Sequence, residues 1–167
     1  LDGYEGIRAT DDKRVHLVIV GMSKMGVALA EQTLYHAHYM NADKQRTRIT
    51  FIDAEADKKM AFFKGCHATL MELMRHRYVD SYANIHAPWI DPMQDTDSKW
   101  KHLSEDGKSF IDTEVEFVKG QVESDVVRSY LCELAADVQS KVTIAVCLNH
   151  TNQSLAASLY LPIEVYE

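Results

Sequence analysis

The chain has 167 residues, of which 46% are hydrophobic, and its formal net charge is −7. This length suits one domain with a sizeable core, and the hydrophobic content excludes a disordered segment. The negative charge argues against nucleic acid and anionic lipid as partners, and no apolar run approaches the ~20 residues that a membrane span needs. We expect no signal peptide in this sequence. Because the chain begins at Leu1 rather than Met, we expect a processed chain or, in preference, a domain cut from a longer protein.

The three cysteines, Cys66, Cys132 and Cys147, are odd in number, far apart and set in apolar patterns. Reduced thiols in a cytoplasmic domain explain them better than disulfides, and their spacing does not suit a zinc site. Residues 1–14 are polar and predict a tail or linker, so the domain itself is expected over residues 15–167.

The first strand leads into a glycine-rich turn. The apolar run 17–20 stops at Gly21, and a helical pattern starts after Gly26. This layout is typical of a dinucleotide-binding turn, in which the first N–H groups of the helix face a pyrophosphate. Ser23 replaces the central glycine of the G-x-G-x-x-G fingerprint, although its hydroxyl can donate to a phosphate. Lys24 either reaches a phosphate or stays solvated in the first helical turn.

A second apolar strand, 49–53, ends in Asp53. An acid at this strand tip binds the adenosine ribose hydroxyls in dinucleotide-binding folds, and it repels a 2′-phosphate. We therefore expect NAD(H) rather than NADP(H), with ATP, ADP or AMP as open alternatives.

The segment after the second strand predicts a helix and then an irregular insertion. Methionines and phenylalanines recur mostly at three- and four-residue spacing from about Ala56 toward Tyr78, which predicts a helix, with Gly65 and Cys66 as candidates for a break within it. From residue 79 to 113 the chain contains two prolines and both tryptophans. We expect an insertion with its own short helix near 98–104, or an interface. Trp89 and Trp100 either anchor a partner or fold back on the domain.

The remaining elements continue the alternation. A third strand is predicted over 115–120, and Ser124 is predicted to be the N-cap of the helix that follows it. The pattern then predicts a fourth strand over 141–148, a short helix over 153–160 and a fifth strand over 163–166. Strands that alternate with helices indicate a Rossmann-like doubly wound parallel sheet in a three-layer α/β/α fold. The insertion lies between the second helix and the third strand.

Ligands of such sheets bind beyond the carboxyl ends of the strands. The strand tips and the glycine turn supply the candidate cofactor-binding residues, which are Gly21, Met22, Ser23, Lys24, Met25, Gly26, Asp53, Ala54, Gly120, Gln121, Leu148 and Asn149.

In the order of these tips the chain resembles the regulator-of-potassium-conductance family, the TrkA-N type of nucleotide-binding domain. The residues that carry the resemblance are the turn 21–26, Asp53, the strand end 115–120 and the polar segment 149–152. Gln121 stands where the family has an aspartate after the glycine. The resemblance implies binding of NAD(H), ATP or ADP, assembly into a dimer or larger homo-oligomer, and regulation of an attached potassium channel or transporter.

The sequence offers no convincing catalytic constellation. The turn is not a G-x-S-x-G nucleophile elbow because its fifth residue is Met25, and it lacks the G-K-[ST] ending of a P-loop. We therefore expect a regulatory domain rather than an enzyme. Two alternatives stay open. The chain is the cofactor half of an NAD-dependent oxidoreductase, or it is a ligand-free Rossmann scaffold whose 79–113 insertion docks a partner or makes a dimer.

Overall fold

A single five-stranded sheet forms the centre of the computed structural model, which describes residues 1–3, 5–80, 87–94, 97–100, 102 and 111–166. The strands pair in parallel in the order β3-β4-β2-β1-β5. Their bounds are β1 Arg14–Val20, β2 Thr47–Asp53, β3 Arg75–Val79, β4 Thr113–Lys119 and β5 Ser140–Val146.

Helices cover both faces of the sheet. They are α1 Lys24–His36, α2 Ala56–Cys66, α3 Ala68–Met71, α4 Asp125–Ala136 and α5 Thr151–Tyr160. Short 3-10 helices occupy Pro92–Gln94 and Ile163–Val165. Helices alternate with parallel strands, which confirms the predicted Rossmann-like three-layer α/β/α fold.

The two-residue period of the strands divides the core into two clusters. Side chains such as Ile19, Phe51 and Phe117 point to one face, where Phe63 of α2 packs on them together with residues of α1. Val20 and Ile52 point to the opposite face and pack with residues of α4 and α5. Burial of these apolar side chains from both faces is the main stabilising contribution to the three layers.

The helix predicted over 56–78 is wrong in its second half. It ends at Cys66, a single further turn occupies Ala68–Met71, and Arg75–Val79 forms strand β3. The strand forms because Arg75 and Arg77 lie opposite Glu114 and Glu116 of β4 in the parallel register. The glutamates of β4 compensate the charges of the two arginines. The periodicity of residues 75–79 alone does not show this compensation.

The predicted fifth strand at 163–166 is also wrong. Ile163–Val165 is a 3-10 helix, in which the Tyr166 N–H donates to the Ile163 carbonyl at 2.9 Å. The Tyr166 hydroxyl donates to the Ser158 carbonyl at 2.7 Å, so this segment folds back on α5 rather than joining the sheet.

The insertion begins after Val79, the last residue of β3. Both tryptophans fold back on the domain. The Trp89 ring lies 4.6 Å from the Arg77 guanidinium carbon, and Trp100 Nε1 donates to Glu72 at 2.8 Å. Residues 101, 103 and 104 of the short helix predicted near 98–104 lie outside the described residues.

Candidate functional site

The glycine turn between β1 and α1 is sterically closed to larger side chains at two positions. Gly21 has φ +100°, and a Cβ atom there would lie 2.6 Å from the Cys147 carbonyl oxygen. A Cβ atom at Gly26 would collide with the Gly21 carbonyl oxygen and lie 3.0 Å from Ile19 Cγ2. Glycine at both positions therefore allows the close packing of turn, strand and helix that the sequence pattern indicated.

Ser23 is the N-cap of α1. Its Oγ accepts a hydrogen bond from the Gly26 N–H at 3.2 Å, and its carbonyl accepts one from the Val27 N–H at 2.9 Å. The N–H groups of Lys24 and Met25, in the first turn, have no intrahelical acceptor. The start of α1 thus offers two donors and the positive end of the helix dipole.

Asp53 joins the glycine turn to the start of α2. Its carboxylate is 8% exposed and accepts hydrogen bonds from the Met22 N–H at 2.8 Å and the Glu55 N–H at 2.9 Å. Lys59 Nζ lies 2.7 Å from Asp53 Oδ2. A ribose that binds this carboxylate has to compete with Lys59, which the sequence analysis did not single out.

Five of the predicted residues line an opening at the carboxyl ends of the strands, which we call the tip crevice. It has a volume of about 510 Å³. The predicted residues along it are Asp53, Ala54, Gly120, Gln121 and Leu148. The strand tips are tied together here, since the Gly120 N–H donates to the Asp53 carbonyl at 3.1 Å and the Gly21 N–H donates to the Ile52 carbonyl at 2.8 Å.

Three predicted residues, Met22, Ser23 and Lys24, line a second opening of about 440 Å³ between α1 and α2. We call it the α1–α2 groove. Lys59 lies on the walls of both openings. Gly21, Met25, Gly26 and Asn149 line neither the crevice nor the groove. The structure therefore divides the candidate residues between two openings instead of bringing all of them to one.

The charges of the tip crevice limit its ligands. Three carboxylates line it, from Asp53, Glu55 and Glu123, together with the single lysine Lys59. This acidic excess favours a ligand of low negative charge over a triphosphate.

A buried polar cluster on the α4 face of the sheet was missed by the sequence analysis. Glu116, 1% exposed, accepts hydrogen bonds from Thr50 at 3.4 Å and Tyr130 at 3.1 Å and forms an ion pair with Arg77. His16 Nε2 lies 2.8 Å from Thr50 Oγ1. The available signal was the matched spacing of Arg75 and Arg77 with the two glutamates, 114 and 116. Because these groups satisfy one another, we assign the cluster a structural role.

Burial shifts the titration of two members of this cluster. Burial, together with the positive charges of Arg48, Arg14 and Arg77, lowers the pKa of His16 to about 3. Burial, followed by the negative charge of Glu116, raises the pKa of the Tyr130 hydroxyl. Both side chains are therefore neutral near pH 7.

Within the described residues, no group of three or more histidine, cysteine or acidic side chains is placed to hold a metal ion. Cys66, Cys132 and Cys147 are free thiols. None of the helices that the structure describes has both the length and the apolar character to cross a membrane. Comparisons with protein-family models, curated proteins and solved structures found no match to this chain.

Proposed function

We propose that the chain is a nucleotide-binding regulatory domain whose ligand is NAD(H), bound in the tip crevice. The observation that carries the proposal is the convergence of four strand ends on this crevice, next to a glycine turn that admits no larger side chain at Gly21 or Gly26. Ligands of parallel α/β sheets bind at this edge.

The charges support a dinucleotide over ATP. Adenosine ribose hydroxyls can donate to Asp53 in place of Lys59, and a pyrophosphate can accept from the first N–H groups of α1. The crevice carboxylates disfavour the larger negative charge of a triphosphate. ADP and AMP remain the alternative ligands.

The wider role rests on the resemblance to regulator-of-potassium-conductance domains. We infer from it a cytoplasmic, homo-oligomeric module attached to a potassium channel or transport protein, which changes that protein's activity when the nucleotide binds.

The Asp53–Lys59 ion pair favours a second candidate function. Because Lys59 already occupies the carboxylate predicted for the ribose, the chain is alternatively a ligand-free scaffold that acts by protein interaction.

Thermal unfolding of the full chain with NAD+, NADH, NADPH, ATP, ADP and AMP tests the proposal. A ligand at about 100 times its Kd adds ~2.7 kcal/mol of stability, which should raise Tm by roughly 5–10 °C. We expect this shift with NAD+ or NADH, and Gln121→Trp, which fills the crevice from an exposed position, should remove it. Gln139→Trp, an exposed control just before β5, should retain it. A flat response to all six at millimolar concentration contradicts nucleotide binding and supports the ligand-free scaffold.

A further inference from the structure

The α1–α2 groove is an apolar cavity that the proposed nucleotide function does not use. Its floor includes the buried side chains of Met22 and Phe63, and its walls include Val27, Ala28 and Phe62. The Phe62 side chain is 76% exposed at the rim. The volume of about 440 Å³ lies within the range of small-molecule sites.

The two ends of the groove differ in charge. Lys24, Lys58 and Lys59 line the end near the start of α1, whose first turn contains no acidic residue. Lys58 pairs with Glu55 at 2.9 Å and Lys59 pairs with Asp53. Across the described part of the chain the structure records no ion pair for Lys24. This end therefore carries uncompensated positive charge, to which the dipole of α1 adds.

A contact between a histidine and a glutamate closes the other end. His67 Nε2 lies 3.1 Å from Glu31 Oε1, and both residues line the groove. The same two residues line a neighbouring opening of about 410 Å³. The pair thus separates two compartments, so a helical peptide laid along α1 would have to break it. A short ligand that stays within one compartment leaves it intact.

We propose that the α1–α2 groove binds a small amphipathic anion, an unbranched acyl carboxylate. Its carboxylate pairs with the Lys24 ammonium, and its chain runs over Ala28 and Phe63 beneath Phe62. The apolar lining supplies most of the binding free energy, and Lys24 selects a negative head group. The groove shares only Lys59 with the tip crevice, and Lys59 is paired with Asp53, so acyl binding at Lys24 is tested independently of nucleotide binding.

Calorimetric titration of the full chain with dodecanoate below its micelle concentration tests this site, with dodecanol as the uncharged comparison. We expect saturable binding of dodecanoate that is tighter than that of dodecanol. Ala28→Trp, which fills the groove from an exposed position, should weaken binding by about tenfold or more, whereas Ala156→Trp on the exposed surface of α5 should leave it unchanged.

Two further variants keep the test decisive if Ala28→Trp fails to fold. Phe62→Gln removes the exposed ring over the acyl chain and should weaken binding of both probes. Lys24→Gln should weaken dodecanoate roughly two- to fivefold and leave dodecanol unchanged, as expected for an exposed charge pair. Lys13→Gln, an exposed lysine before β1, is its control.

Three results would overturn the proposal. These are an absence of dodecanoate binding, equal affinity for dodecanoate and dodecanol, and binding that Ala28→Trp and Phe62→Gln both leave intact. Sedimentation of the same variants tests whether a second copy of the chain, rather than a small ligand, occupies the groove. If Ala28→Trp lowers the mass of an oligomer formed by the parent chain, the groove is an interface between copies rather than a ligand site.

Discussion

His16 shows how a single buried side chain is fixed by its partners. Thr50 Oγ1 donates to Glu116 and lies 2.8 Å from His16 Nε2, so it accepts the Nε2 proton. Burial of the ring, together with three nearby arginines, disfavours a second proton. The histidine therefore contributes to folding as a neutral hydrogen-bond donor.

Replacement of His16 should change how stability depends on pH. The unfolded chain binds a proton on this ring near pH 6.5, whereas the folded chain binds it only near pH 3. Between these values the unfolded state holds more protons, so the free energy of unfolding rises with pH, by at most about 1.4 kcal/mol per pH unit from this group. Urea unfolding at pH 4, 5 and 6 should show a shallower rise for His16→Gln than for the parent.

The exposed His36→Gln serves as the control for this series, since its ring is open to solvent at the end of α1. Equal slopes for the parent and His16→Gln would mean that the ring takes up its proton at the same pH in the folded and unfolded chains.

Asp53 was predicted as a site residue from the sequence, but its ion-pair partner was not. The sequence predicted the strand tips, because an apolar run that ends in glycine or an acid is a local pattern. It did not predict the pairing of Asp53 with Lys59, because that contact depends on where α2 begins. The division of the turn residues between crevice and groove depends on the angle of α1 in the same way.

At the scale of elements, strand β3 is held by charge compensation across strands. Arg75 and Arg48 both pair with Glu114, and the Trp89 ring packs over the arginine guanidiniums. The other strands were found as apolar runs or by alternation. β3 was missed since the glutamates that neutralise its arginines lie far along the chain.

Removal of one partner of the buried Arg77–Glu116 pair should lower the free energy of unfolding more than removal of both partners. Arg77→Met leaves the Glu116 carboxylate buried with only hydroxyl donors named for it, Thr50 and Tyr130, and should cost about 3–5 kcal/mol. The double variant Arg77→Met with Glu116→Gln removes both charges and should recover a large part of that loss. Urea unfolding at pH 7 measures both.

Arg8→Met, at an exposed position in the N-terminal segment, controls for the loss of an arginine as such and should change stability little. A double variant no more stable than Arg77→Met would show that the carboxylate is solvated after the first substitution.

At the scale of the whole molecule, the two edges of the sheet differ. The outer edge of β3 is covered at His76, which exchanges two backbone hydrogen bonds with Ile90, at 2.9 and 2.8 Å. Among the described residues, β5 pairs only with β1, and every residue of β5 is half-buried. In the described part of the N-terminal segment, Asp2 and Gly6 contact the beginning of β5, where Lys141 Nζ donates to their carbonyl groups.

An open edge of this kind favours pairing with a second chain. The N–H and C=O groups of alternate residues in β5 point away from β1, and the strand carries one charged side chain, Lys141. We therefore predict that the chain self-associates through antiparallel pairing of two β5 strands, which joins two sheets into one.

Thr143→Lys places like charges opposite each other at the centre of such a pair and should lower the sedimenting mass toward that of a single chain. Val138→Lys, 86% exposed and just before the strand, should leave the mass unchanged. A parent chain that sediments as a single chain at high concentration contradicts the prediction, and a dimer that survives Thr143→Lys places the interface on another surface.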